Sequence, residues 1–182
     1  MSDFQRALDF VLRWETVFEK GHHGDYDFAI AENDPDDPGG VTKFGLDART
    51  HGPEVARLTV EEAGDIYSTH YWLDYGCDVL PWPVNLVAFD SAVNVGKGQT
   101  TRFFQRLAGT AVEDGAWGPN TSAAVGEWIV DVGPEVAALS IVHAREDFYK
   151  ALAQQKPAMA KFLKGWLNRT QDLKKEFANG VA

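Results

Sequence analysis

Apolar and polar positions follow a helical period along most of this chain, most plainly at its start. Between Ser2 and Lys20, Gln5, Arg6, Asp9, Arg13, Thr16 and Lys20 fall on one solvated face. Phe4, Ala7, Leu8, Val11, Leu12, Trp14 and Phe18 fall on the opposite face. Ser2 and Gln5 have capping-box spacing, and Gly21 supplies a stop. Glu15 breaks the pattern. It lies near the middle of the apolar face, beside Val11, Leu12 and Phe18, with Glu19 one turn further on towards the edge. A carboxylate on a core-facing stripe must protonate, find a partner or face a cleft. From the helix alone, a satisfied core glutamate and a functional one are equally good readings.

Beyond this helix, Tyr26 to Ile30 has the pattern of a short strand, and Glu32 to Gly40 is a loop enforced by prolines and glycines. Val41 to Leu46 alternates like an extended segment. Thr59 and Glu62 form a second capping box, opening a helix through about Tyr75 whose apolar positions include Ala63, Ile66, Tyr67, Tyr71 and Trp72. Further helices are predicted from Val84 to Val95, from Gln99 to Leu107, from an Asn120 cap to about Asp131, from near Pro134 to before Pro157, and from Ala158 to Phe177. The expected class is mainly α, with only a small β element near residues 26 to 46.

Composition narrows the function. The 182 residues suit one domain or two small lobes sharing a core, and six Trp and eleven Phe supply a core and a groove lining. A net charge of −10 argues against nucleic acid as a partner. A single cysteine, Cys77, precludes an internal disulfide, and no zinc-ligand spacing is present. Neither a signal-peptide pattern nor a membrane-spanning run is found, so the expectation is synthesis as a soluble cytoplasmic chain without stable membrane insertion.

Several motifs carry a resemblance. Asn33-Asp34-Pro35-Asp36-Asp37-Pro38-Gly39-Gly40-Val41-Thr42-Lys43-Phe44-Gly45-Leu46 is similar to the loop that follows the first helix in glycoside hydrolase family 108, the N-acetylmuramidases. Phe89-Asp90-Ser91-Ala92-Val93-Asn94-Val95-Gly96 and the Asp114-to-Thr121 turn resemble that family's C-terminal peptidoglycan-binding region. Arg145 to Tyr149 and Phe162 to Arg169 are similar to its closing helices. The resemblance implies a mainly α fold of α+β lysozyme-like type, in which a helical bundle lobe and a small β element or extended loop lobe flank a cleft. It also implies a catalytic region over residues 1–82 and a helical peptidoglycan-binding region over 83–182, packed as one compact unit.

The family's first helix ends in Glu-Gly-Gly. This chain has Glu15-Thr16-Val17-Phe18 instead, with an insertion from Glu19 to about Glu32 before the loop. Helix phase favours Glu15 as the catalytic acid, and Glu19 is the competitor. The second group, which positions water or steadies an oxocarbenium-like transition state, is expected from Asp37 (Asp34 the alternate) together with Thr42. Both aspartates are read equally well as turn-bracing residues.

Asp90 and Asn94 share a helix face and are expected to contact substrate or to bond within the protein. Trp117 is expected to stack on sugar or to anchor its turn. Arg145 and Arg169 are expected to pair with acidic neighbours, and His22 and His23 to be solvated. The implied activity is cleavage of the β-1,4 bond between N-acetylmuramic acid and N-acetylglucosamine, without cofactor or metal, on a peptidoglycan glycan strand. An endolysin-type role implies a monomer, released by a holin-type partner to act in a Gram-negative periplasm. The alternatives are a lytic transglycosylase and a non-catalytic wall-binding or secretion-accessory protein.

Overall fold

The computed structural model describes residues 1–33 and 40–178. These form two compact units, Met1–Leu73 and Asp74–Ala182. Among the described residues the chain is mainly α, as expected, with one small three-stranded sheet.

In the first unit, helix α1 (Asp3–Glu15) opens with the expected Ser2–Gln5 capping box. It ends five residues earlier than its periodicity predicts. Thr16 is already extended, and the following residues pair with the inserted segment: the Glu19 N–H donates to the Phe28 carbonyl at 3.0 Å and the Ile30 N–H to Val17 at 2.9 Å. Phe18 and Ala29 form an isolated bridge. Residues 26–28 are a 3₁₀ turn rather than the predicted strand, because Asp25 caps it through the Asp27 N–H. The insertion is held by rings: His22 stacks on Phe28 with centroids 3.7 Å apart, and Phe18 packs against His23 and Tyr26. His22 is therefore a packed, half-buried residue and not a solvated one, whereas His23 remains exposed.

Strands β1 (Glu32–Asn33), β2 (Val41–Lys43) and β3 (Leu46–Asp47) form an antiparallel sheet in sequential order. The predicted single extended segment over 41–46 is thus a hairpin, with Phe44 and Gly45 as its two-residue turn. Short helix α2 (Ala48–His51) follows, capped by Asp47. Helix α3 (Val60–Tyr67) has the predicted Thr59–Glu62 box, but Ser68 to Leu73 unwinds into a wider π-helical turn. Gly64 lets α1 approach α3: the Leu8 side chain reaches to 3.2 Å from where a Cβ would stand. Phe4 meets Trp72 edge-on at 5.4 Å.

The second unit contains α4 (Val84–Val95), α5 (Lys97–Leu107), α6 (Pro119–Val132), α7 (Pro134–Gln155) and α8 (Leu163–Ala178). Pro119 occupies the first turn of α6 and Gly118 its cap, one to two residues before the predicted Asn120. The predicted last helix begins as a 3₁₀ segment, Pro157–Phe162. Every residue of α4 from Val84 to Ala92 is buried, as expected of a helix enclosed on all sides.

One of those residues is Asp90, with no exposure at all. Arg145 donates to its Oδ2 at 2.5 Å, and Arg169 to its Oδ1 through Nη2 at 2.6 Å and Nε at 2.9 Å. Arg145 also donates to Tyr149 Oη, which in turn bonds Asn94. This network ties α4, α7 and α8 together, so Asp90 is a structural ion and is removed from the substrate-contacting set. Burial works to raise its pKa, but the two guanidinium groups outweigh burial and hold it below the ordinary carboxylate value. Its stabilisation is then present above about pH 4 and lost as pH falls through the depressed folded value. Substitution Asp90→Asn leaves two buried cations uncompensated and is expected to cost roughly 3–5 kcal/mol. Urea denaturation at pH 7 measures this, and the variant should show less acid sensitivity than wild type.

Candidate active site

The end of α1 places a carboxylate where a helix macrodipole favours a cation. Glu15 is the last helical residue and is half-buried, while Glu19 lies outside the helix and is exposed. The two glutamates are thus not successive turns of one helix face: the Glu15 side chain lies against the hairpin, whereas Glu19 is bonded through its backbone to Phe28 and is exposed. That difference favours Glu15 over its competitor.

What holds Glu15 is the hairpin turn. Phe44 has φ +54° and Gly45 φ +76°, both left-handed, as a two-residue hairpin loop requires when its twist is to match the strands. Phenylalanine is an unusual occupant of such a position. Three contacts secure it. Tyr67 Oη donates to the Phe44 carbonyl at 2.8 Å, Lys43 Nζ lies 5.1 Å from the centre of the Phe44 ring, and Tyr26 packs 6.5 Å from it. Lys43 is itself anchored on the Leu58 carbonyl at 2.9 Å. Both Phe44 and Tyr67 are buried.

Gly45 then lies directly against the glutamate. A Cβ at that position would stand 2.7 Å from Glu15 Cβ, 2.8 Å from Glu15 Oε2 and 2.9 Å from Tyr67 Oη. Only a residue without a side chain permits this approach, for both steric and φ reasons.

Thr42 stands in β2 directly opposite Asp47 in β3, so the two side chains share one face of the hairpin. The Asp47 carboxylate caps α2, accepting from the Thr50 N–H at 2.9 Å and from Thr50 Oγ1 at 2.9 and 3.0 Å. Burial works to raise the Asp47 pKa, and these bonds lower it to below the usual carboxylate range. Tyr71 packs on Tyr67, centroids 5.4 Å apart. Burial raises the Tyr71 phenol above its ordinary value, and the charges of Asp47 and then Glu15 add to the effect. Tyr71 therefore remains a neutral hydroxyl near two carboxylates.

The expected loop aspartates Asp34 and Asp37 lie outside the described residues. Asn94 is half-buried and engaged with Tyr149, within the Asp90 network. Trp117 is wedged between Tyr75 and Phe104, at 5.3 and 5.2 Å, and so anchors its turn rather than offering a free stacking face. Gly45, Asp47, Tyr67 and Tyr71 are the site residues that sequence reasoning did not single out. The two tyrosines carried a signal in their i, i+4 spacing, and Asp47 in its position three residues before Thr50.

The family described as Glycosyl hydrolase 108 matches residues 9–96. A second, described as Predicted Peptidoglycan domain, matches residues 99–171. The solved structure of Brucella abortus SagA is similar over 98 % of this chain and 96 % of its own, with 25 % identity and a TM-score of 0.73. Curated proteins contain no match to the chain. The fold is of the mainly α, lysozyme-like class that the sequence predicts. Within the matched residues, the Glu15 side chain lies against the Phe44–Gly45 turn, which Tyr67 holds through the Phe44 carbonyl.

Substitution Gly45→Ala should destabilise the first unit by roughly 1–3 kcal/mol, from its left-handed φ and the collision with Glu15. Tyr67→Phe should cost about 1–2 kcal/mol by leaving the Phe44 carbonyl without its buried partner. Thermal and urea unfolding of both variants measure these costs.

Proposed function

We propose that this chain is a muramidase. In this reading it cleaves the β-1,4 bond between N-acetylmuramic acid and N-acetylglucosamine, with Glu15 as the proton donor. The coarser statement, a glycoside hydrolase acting on peptidoglycan, follows from a glycosyl hydrolase 108 domain joined to a predicted peptidoglycan domain. The observation that carries the finer one is the close seating of Glu15 on the Phe44–Gly45 turn. A carboxyl group held in this way by backbone presents one oxygen to a leaving glycosidic oxygen with little rotational freedom.

Thr42, on the same hairpin, supplies a hydroxyl for orienting water, and an aspartate of the 34–37 loop is the second carboxylate of the mechanism. Tyr71 and Tyr67 act through Glu15 and the turn as positioning residues. No metal or cofactor enters the reaction as proposed. Endolysin-type lysis of a Gram-negative host by a monomer, after a holin-type partner opens the inner membrane, is the corresponding biological role. Action in the periplasm would follow from it.

The reading separates from a lytic transglycosylase by its products. Digested sacculi analysed by mass spectrometry should carry hydrated reducing ends, and 1,6-anhydro ends would place the chain with the transglycosylases. Glu15→Gln should lower the rate of sacculus solubilisation by roughly 10²–10⁴-fold, while Glu19→Gln should retain most of it. Full lysis by both variants would exclude glutamate catalysis, and a wild type that binds sacculi without solubilising them would be a non-catalytic wall-binding protein.

A further inference from the structure

The second unit contains a groove of about 690 Å³ between α5 and α7, within the usual range of ligand sites. Its walls combine cations with aromatic surface. Arg102 and Arg106 lie one turn apart on α5, and His143 and Asp147 one turn apart on α7. Phe103 and Phe148, packed edge-on at 5.8 Å, supply the apolar surface.

In a chain of net charge −10, this lining sets two arginines and a histidine beside one aspartate, so it offers donors for carboxylates and an acceptor for an amine on one concave surface. Arg102 donates to the Asp114 backbone carbonyl at 2.9 Å, which orients the guanidinium. The Asp114 carboxylate feels Arg102 but is bonded to Gln105 and to the Ala116 N–H. Arg106 pairs with Glu113 at 2.8 Å in an exposed bridge, a kind of pair that exchanges readily for another carboxylate. Asp147 pairs at the surface with Lys150, 3.1 Å away.

We infer that this groove binds the stem peptide of peptidoglycan. The inference rests on the peptidoglycan reading above and deepens it by naming the part of the polymer that the second unit recognises. A stem peptide carries several carboxylates, those of its D-glutamate and of its terminal residue among them, and one amine on a diamino acid. Arg102, Arg106 and His143 match the carboxylates, and Asp147 matches the amine. The phenylalanines accept the alanine methyl groups. A peptide-free glycan offers no carboxylate beyond the lactyl group of muramic acid, so the two arginines select peptide over sugar.

The test uses the full chain and two soluble probes, a free stem tetrapeptide containing a diamino acid and a peptide-free N-acetylglucosamine oligosaccharide. Calorimetric titration should detect the tetrapeptide. Arg102→Gln and Arg106→Gln should each weaken it by roughly tenfold, the scale of one charge-assisted hydrogen bond. Ser140→Trp, which fills the groove from α7, should abolish it. Oligosaccharide binding should be the same in all four proteins. Should Arg102→Gln fail to fold, Arg106→Gln and Ser140→Trp decide the matter, with thermal unfolding as the control. Equal tetrapeptide binding in wild type and Ser140→Trp overturns the inference, as does loss of the oligosaccharide in its place. A wild type that solubilises sacculi but binds no tetrapeptide refutes the groove alone. A wild type that does neither refutes the peptidoglycan reading itself.

Discussion

A turn of two left-handed residues is the constraint on which the first unit depends. Phe44 and Gly45 reverse the chain so tightly that a glycine backbone reaches the side chain at the end of α1. Left-handed backbone at a bulky residue persists only where surrounding contacts over-determine it. Here the Tyr67 hydroxyl, the Lys43 ammonium and the Tyr26 ring do so. The same contacts that hold the turn also position the carboxylate beside it. Stability and site geometry are thus one arrangement, and the inserted segment after α1 takes part in it through Tyr26.

The second unit is organised by a different force. Its enclosed helix α4 is mostly apolar, yet at Asp90 it places a charge where no water can reach. Such a group is tolerable only when compensated, and Arg145 and Arg169 approach from two other helices to do this. Because a carboxylate has two oxygens with defined directions, the triad specifies how α7 and α8 sit on α4 in a way that apolar packing alone does not. Tyr149 and Asn94 extend the network along that helix face. The cations of the α5–α7 groove are a separate set, turned to the surface rather than to the core.

Much of the fold is legible in the residues because local physics decides it. Both capping boxes are where their Ser/Thr-x-x-Glu/Gln spacing puts them, and the helices of the second unit begin and end near their prolines and glycines. Where reading by period fails, a nonlocal partner has intervened. Val17 to Glu19 continue the helical pattern of α1, yet they pair with residues 28–30, since backbone bonding to a second segment competes with helix. Val41 to Leu46 alternates like one strand, but the left-handed pair at 44–45 folds it into two. Nothing in the local pattern announces that a phenylalanine will adopt such a φ.

By itself, the sequence determined the mainly α class, the family motifs and the anomaly of a glutamate at the end of an amphipathic helix. These are local properties: periodicity, turn chemistry and the cost of a carboxylate on an apolar stripe. Only the tertiary structure decided which neighbours that glutamate meets, because Gly45, Tyr67 and Tyr71 lie 30 to 56 residues away from it. It likewise turned Asp90 from a candidate for substrate contact into the centre of an ion triad. Burial and charge pairing depend on distance in space, and spacing along a chain does not encode that distance.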